Sequence, residues 1–150
     1  MRVALYQPDQ AGNVGTILRL GACLGTPVDI VEPCGFAFSD RALKRAGMDY
    51  AEMANVTRHG DWEAFEAGLK GRLVLFTTAA AVRLPEARFE PGDTLLFGSE
   101  SRGVPKEVHE RADARVRIPQ VEGTRSLNIA VAAGIGLAEA VRQTGLWRSE

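Results

Sequence analysis

Short apolar runs alternate along the chain with longer segments of mixed polarity. Val, Leu, Ile and Phe dominate five short runs, which is typical of buried strands. The predicted strands are residues 2–6, 27–31, 72–77, 94–97 and 114–118. The predicted helices are residues 14–24, 40–46, 61–69, 105–112 and 127–143. This alternation predicts an α/β fold, with a mostly parallel sheet and helices on both of its faces.

Capping residues support several of these limits. Gly25 and Gly145 follow the first and last helices, where glycine is favoured, and Asp61 stands where it can cap the third helix. Ser126 is predicted to cap the last helix through its hydroxyl. The longest stretch without a regular pattern, residues 79–91, is predicted to be a surface loop or an insertion.

Polar loops follow three of the predicted strands. The first leads from Tyr6-Gln7-Pro8 into a helix that Asn13 opens, where this side chain can serve as an N-cap. In the second, Gly98 and Gly103 bracket a Ser-Glu-Ser-Arg tetrapeptide, so the backbone can turn sharply and approach a ligand closely. The third runs from Ile118-Pro119 to the start of the last helix. Since ligands bind at strand ends in α/β folds, these loops predict a site.

Each loop carries a motif. The first holds Asn13, Gly15 and Arg19, the second reads Phe-Gly-x-Glu-x-Arg-Gly-Val-Pro over residues 97–105, and the third joins Ile118-Pro119 to residues 124–128. Together they resemble the SPOUT superfamily of RNA methyltransferases, and within it the small tRNA 2′-O-ribose methyltransferases that act on the wobble nucleotide. Residues 32–36 and 45–50 also look like this subgroup, so the resemblance covers nearly the whole chain.

The resemblance implies S-adenosylmethionine as cofactor and a C-terminal trefoil knot that builds the cofactor pocket. Catalytic roles are expected for Arg19, Glu100 and Asn128. Arg19 is expected to anchor a phosphate and stabilise the developing alkoxide, because a free guanidinium, with its pKa above about 12, is a poor base. Glu100 can accept a hydrogen bond from Arg19 or Asn128. The expected cofactor-binding residues are Phe76, Gly98, Ile118 and Ser126, and the expected substrate-binding residues are Asn13, Arg41, Arg45, Arg102 and Arg125.

The formal net charge of −1 does not favour a nucleic-acid partner, since RNA-binding domains are usually basic. A local basic patch would resolve this conflict. Arg41, Lys44 and Arg45 lie on one predicted helix, and further arginines lie in or near loops: Arg19, Arg58, Arg102 and Arg125. The alternative interpretation of the helical residues is an ordinary solvated helix face.

The length of 150 residues predicts one domain, and no apolar run is long enough to span a membrane. The start of the chain lacks the layout of a signal peptide, and the two cysteines are not in a Cys-x-x-Cys pair, so a cytoplasmic protein is expected. His59 and His109 are predicted to be surface residues and no metal site is expected. The resemblance implies a homodimer, and the many small residues of the first and last helices would allow close approach.

The expected substrate is nucleotide 34, a cytidine or modified uridine, of leucine tRNAs. Three alternatives remain open. The chain can act on another tRNA or rRNA position, or it can be a Rossmann-type nucleotide-binding enzyme, which the spacing of Gly12 and Glu32 favours although Gly-x-Gly-x-x-Gly is missing. It can also be a non-catalytic RNA-binding module, which would not need Arg19, Glu100, Ser126 and Asn128 together.

Overall fold

A parallel sheet forms the centre of the molecule, as described by a computed structural model for residues 1–45, 49 and 55–147. Its strands are β1 (Arg2–Tyr6), β2 (Val28–Val31), β3 (Val56–His59), β4 (Leu73–Phe76), β5 (Val82–Arg83), β6 (Thr94–Phe97) and β7 (Ala114–Arg117). The helices described are α1 (Ala11–Leu24), α2 (Asp40–Arg45), α3 (Trp62–Ala67), α4 (Lys106–Arg111) and α5 (Ile129–Thr144), with a 3₁₀ turn at Leu84–Glu86.

The strands follow the order β3-β2-β1-β6-β4-β7-β5 and pair in parallel throughout. All carboxyl ends therefore point to one edge of the sheet. The loops after β1, β6 and β7 and the end of β4 become neighbours there, because these four strands are consecutive in the sheet. The predicted α/β fold with a parallel sheet is confirmed.

Alternate residues of each strand pack into two separate cores. On β1, Val3 and Leu5 belong to the core that α1, α2 and α5 cover, whereas Ala4 and Tyr6 belong to the core beneath α3 and α4. The period of two follows from the pleat of a strand, which directs successive side chains to opposite faces. Helices thus cover both faces, as predicted.

Two strands are absent from the sequence prediction. The side chains of β3, Val-Thr-Arg-His, are half-buried or exposed, so this edge strand lacks an apolar run. The two residues of β5 are both exposed. The prediction of a surface loop or insertion at residues 79–91 is wrong in part, because this segment contains β5 and buries Ala80, Leu84, Ala87 and Phe89.

Helix ends show which capping predictions hold. Gly25 and Gly145 adopt the left-handed conformation after α1 and α5, and Asp61 accepts the Ala64 N–H at 2.8 Å. The caps predicted at Asn13 and Ser126 are wrong. Asn13 lies inside α1, three residues past Gln10 at the N-cap, and Asn128 caps α5 instead of Ser126.

The end predicted for the second helix, residue 46, lies outside the described residues, as do residues 46–48 and 50 of the segment 45–50. Among the helices that the structure describes, none has the length and apolar character that crossing a membrane requires.

Candidate functional site

A cavity of about 740 Å³ opens at the carboxyl edge of the sheet. It lies where the loops after β1, β6 and β7 meet the end of β4. The predicted site residues that line it are Asn13, Phe76, Gly98, Glu100, Ile118, Arg125, Ser126 and Asn128. Its size falls within the range of about 300–1,000 Å³ that is usual for small-molecule sites.

The Phe76 ring belongs to the core behind the cavity. It is 8% exposed, stacks on Phe97 with ring centroids 4.8 Å apart, and lies against α5. A Cβ at Gly136 would come within 2.7 Å of this ring, so only glycine lets α5 approach so closely. The ring is therefore held in place by Phe97 and α5, while Phe76 as a residue still lines the cavity.

Gly98 is required by its own loop. Ser99 and Gly103 exchange two backbone hydrogen bonds of 3.0 and 2.8 Å, which close the loop after β6. A Cβ on Gly98 would stand 2.7 Å from the Gly103 carbonyl carbon. The sequence suggested that glycine here permits close approach to a ligand. The structure shows that the approaching group is the Gly103 backbone, while Gly98 still lines the cavity.

Hydrogen bonds between side chains join the first turn of α1, the loop after β6 and the start of α5. One carboxylate oxygen of Glu100 accepts the Asn13 amide at 3.3 Å, and the Asn13 oxygen accepts the Asn128 amide at 2.9 Å. The Asn128 oxygen accepts the N–H groups of Ala130 and Val131 at the start of α5. Glu100 thus reaches Asn128 through Asn13, where the sequence analysis allowed a direct bond.

Asp9 is a polar residue at this edge that the sequence analysis did not select. Its carboxylate accepts the Ser99 hydroxyl and the Ser101 N–H, each at 2.8 Å, while its own N–H donates to Glu100 at 2.6 Å. Hydrogen bonds from Ser101 and Ser99, with the nearby charge of Arg102, lower its pKa to about 2. Asp9 follows Pro8 closely after β1, and its distance of 90 residues from Ser99 along the chain hid this contact.

Gln120 organises the loop after β7. Its side-chain amide donates to the Arg125 carbonyl at 2.9 Å, and its oxygen accepts the Leu127 N–H at 3.4 Å. Ser126 lies between these two anchors, exposed at the cavity wall. Sequence analysis missed Gln120, and its place directly after Ile118-Pro119 was the signal that could have found it.

The predicted basic residues divide into two groups. Arg125 lines the cavity, whereas Arg19, Arg41, Arg45 and Arg102 are exposed and are not among the described residues that line it. Arg19 lies on α1, which packs against both α2 and α5. Arg58 contributes less to a basic patch than the sequence suggested, because it pairs with Glu32 and stacks over the Phe38 ring.

Charge in the cavity is sparse and of both signs. Among the described lining residues, Glu100 is the one carboxylate and Arg125 the one cation. They accompany apolar groups from Ile118, Leu127 and Ile129. S-adenosylmethionine carries an ammonium, a carboxylate, a sulfonium and an apolar-faced adenine, and the chemistry of this set of residues fits such a molecule.

The histidines are not arranged for metal binding. His59 was predicted to be a surface residue, but its side chain is 16% exposed, bonds to Asp29 at 2.8 Å and packs edge-on against Phe65. His109 lies in α4 and is half-buried. In the described part of the chain, no group of three or more His, Cys, Asp or Glu side chains is placed to hold a metal ion.

Proteins of known function resemble this chain over most of its length. A protein of Ancylobacter novellus named tRNA (cytidine(34)-2′-O)-methyltransferase is 50% identical over 148 residues, which are 97% of this chain and 94% of that protein. A solved structure described as giving insights into 2-OH methylation of C/U34 on tRNA superposes with a TM-score of 0.87 at 42% identity, covering 95% of this chain and 94% of that one.

An rRNA methyltransferase from Sinorhizobium meliloti, solved with bound AdoMet, superposes with a TM-score of 0.82 at 32% identity, covering 94% of this chain and 55% of that chain. The sequence also matches the SpoU rRNA Methylase family over residues 1–138. The chain therefore belongs to this family of RNA methyltransferases, whose methyl donor is S-adenosylmethionine.

Proposed function

We propose that this protein transfers a methyl group from S-adenosylmethionine to the ribose 2′-oxygen of nucleotide 34 in tRNA. The observation that carries the proposal is that one cavity is lined by Asn13, Glu100, Ser126 and Asn128, although these residues follow three different strands along the chain. The relative from Ancylobacter novellus and the structure concerned with C/U34 support the choice of nucleotide.

The residues around the cavity suggest how the donor is held. When bound, S-adenosylmethionine supplies an electrophilic methyl group on a sulfonium. The main chain at Gly98 and Ile118 would contact the adenosine, and Arg125 would pair with the carboxylate of the methionine part. Glu100 would contribute negative charge on the side of the ammonium and sulfonium.

Orientation of the substrate ribose would fall to Asn128. Its side chain is fixed by bonds to Asn13 and to the first turn of α5, so it would present a defined polar group at the cavity. Arg19 would anchor a phosphate and stabilise the alkoxide that develops on the 2′-oxygen. Because Arg19 does not line the cavity described for its own chain, this role is consistent with an RNA site built from two subunits.

A homodimer is part of the proposal. The small residues that suggested it from the sequence are largely occupied inside the protomer: Ala133, Gly136 and Ala140 face the sheet, and α1 packs against α5. The better support is the exposed apolar surface formed by Val131, Ile135 and Trp147. Sedimentation at micromolar concentration should show a dimer, and a 16.2 kDa species would contradict this.

Leucine tRNAs are the proposed substrates, with Arg41, Arg45 and Arg102 contacting the RNA backbone. Their exposure on α2 and on the loop after β6 suits a splayed-out loop nucleotide, whose ribose edge is accessible. The purified protein should transfer labelled methyl groups to bulk tRNA, and mass spectrometry of tRNA from a deletion strain should show loss of ribose methylation at nucleotide 34. Unchanged methylation there, or methylation at another position, would overturn the assignment.

We also propose that this single domain acts in the cytoplasm and contains a C-terminal trefoil knot. The position of residues 118–128 beside the loop after β6 supports a threaded path for this segment. An experimental structure in which the C-terminal segment does not thread through a loop of the backbone would contradict the knot. Fluorescence of a tagged protein outside the cytoplasm would contradict the location.

A further inference from the structure

We propose that Asp9 is a positioning residue of the methyl-transfer site, which holds the loop of residues 98–103 in the shape that binds the methyl donor. This inference rests on the proposed function. Asp9 does not line the cavity described above and is therefore not expected to touch the donor. It acts through Ser99 and Ser101, while Ser99 itself lines the cavity.

The geometry shows a reciprocal clasp between two loops. The Asp9 carboxylate oxygen Oδ2 accepts both the Ser99 hydroxyl and the Ser101 N–H, and the Glu100 carboxylate accepts the Asp9 N–H in return. Three consecutive residues of the loop are thus attached to one residue of the turn after β1. Gly98 stands directly before this attachment, so its backbone position depends on it.

The turn that carries Asp9 is itself fixed from behind. The Gly35 N–H donates to the Pro8 carbonyl at 2.9 Å, and a Cβ on Gly35 would stand 2.9 Å from the Asp9 Cα. The loop after β2 therefore supports the turn after β1, which in turn holds the loop after β6. The side chain of Asp9 connects the turn after β1 to the loop of residues 98–103.

Charge makes the clasp effective at neutral pH. A carboxylate is a stronger acceptor than an uncharged oxygen, and Asp9 is ionised at neutral pH because its pKa, lowered by hydrogen bonds from Ser101 and Ser99, lies far below 7. Asp9→Asn would keep the shape of the side chain but would lose the charge, and in one orientation its NH₂ group would face the Ser99 hydroxyl and the Ser101 N–H.

Asp9 lies outside both apolar cores, which separates its effect on the loop from an effect on the fold. Asp113 provides a matched control at the opposite edge of the sheet. Its carboxylate accepts the N–H of Leu73, at the start of β4, at 2.8 Å. Asp113 thus fixes a backbone position with its side chain, as Asp9 does. Asp113→Asn makes the same change of charge at a comparable bond far from the cavity.

The experiment compares wild type, Asp9→Asn, Asp9→Glu and Asp113→Asn. Calorimetry with S-adenosylhomocysteine should show about tenfold weaker binding for Asp9→Asn, partial recovery for Asp9→Glu, and wild-type affinity for Asp113→Asn. Hydrogen exchange should accelerate in residues 98–103 of Asp9→Asn, while the strands keep wild-type protection.

Unchanged affinity and exchange in Asp9→Asn would overturn the inference, as would an equal loss of affinity in Asp113→Asn. If Asp9→Asn does not fold, Ser99→Ala removes one of the two donors and should weaken binding in the same direction, and unchanged binding would count against the proposal. Wild-type protein that binds S-adenosylhomocysteine but methylates no tRNA would refute the proposed function, while the affinity comparison would still judge Asp9.

Discussion

The two edges of the sheet use carboxylates in opposite ways. At the amino edge, Asp93 is fully buried and receives two hydrogen bonds from the Arg72 guanidinium, at 2.9 and 2.8 Å. At the carboxyl edge, Asp9 and Glu100 accept from hydroxyl, amide and backbone N–H groups. The opposite charges of an ion pair largely cancel in their effect on the surroundings. A carboxylate held by uncharged donors has no such compensating charge in contact with it. The first arrangement compensates a buried charge inside the fold, and the second leaves the negative charge of Glu100 at the cavity.

The largest effect is expected from breaking the amino edge. Asp93→Ala leaves Arg72 without its buried partner and the Glu90 N–H without an acceptor, so the free energy of unfolding should fall by about 3–5 kcal/mol. Urea denaturation measures this change. The affinity of the folded protein for S-adenosylhomocysteine should stay at the wild-type value. Glu90→Ala removes an exposed partner of the same guanidinium, 3.4 Å away, and should cost less than about 0.5 kcal/mol. Similar losses in both variants would contradict the contrast.

Arg19→Ala should affect only the chemistry of methyl transfer. Loss of the proposed phosphate anchoring and alkoxide stabilisation should lower the turnover number on tRNA about a hundredfold, equivalent to about 3 kcal/mol in the transition state. Because the side chain is exposed, the melting temperature and the affinity for S-adenosylhomocysteine should remain near wild type. Lys70 is an exposed cation at the amino edge, so Lys70→Ala is the matched control. Wild-type turnover in Arg19→Ala would remove this residue from the mechanism.

Gly98→Ala should deform a loop at the carboxyl edge without changing its charge. The added Cβ would collide with the Gly103 backbone, so the Ser99–Gly103 turn must shift, and donor affinity should fall about tenfold. At the amino edge, a Cβ on Gly92 meets nothing within 4 Å, so Gly92→Ala should leave affinity unchanged. Titration calorimetry measures both variants. Equal affinities would show that the turn adapts to the methyl group without disturbing the cavity.

The smallest expected effect is the pH dependence of the Asp9 clasp. Its pKa is about 2 in the fold and 3.8 in a model peptide, so ionised Asp9 favours the folded state. This contribution is present in full above the unfolded value and disappears as pH falls through about 2. The difference in free energy of unfolding between wild type and Asp9→Asn should be constant from neutral pH to about pH 5 and shrink below it. A difference that grows on acidification would contradict the assignment.

Much of the fold was predictable because burial leaves a pattern in the sequence. The central strands are apolar runs, and β6 has the predicted limits of residues 94–97. The edge strand β3 was missed because its side chains are half-buried or exposed, and polarity then carries no signal. Ser126 and Asn128 are both good capping residues, and their sequence positions alone did not decide between them.

The candidate site was predictable where residues follow a strand within a motif. Gly98, Glu100 and Asn128 were selected in this way, and all line the cavity. Asp9 and Gln120 were missed because what distinguishes them is a contact with another residue of the folded chain. Asp9 accepts a hydrogen bond from Ser99, 90 residues away, and Gln120 donates one to the Arg125 carbonyl. Spacing along a chain identifies residues near a strand end, but contact between loops depends on strand order.

The strand order also has a consequence for the time course of folding. In the sheet, β1 stands between β2 and β6, with Arg2 opposite Thr94. A nascent chain therefore cannot complete the middle of its sheet until the ribosome has delivered residues 94–97, and the pairing of β7 between β4 and β5 comes later still. Such non-local pairing slows folding and leaves apolar strand edges exposed in the meantime. We expect the emerging chain to depend on chaperone protection until most of its length has been synthesised.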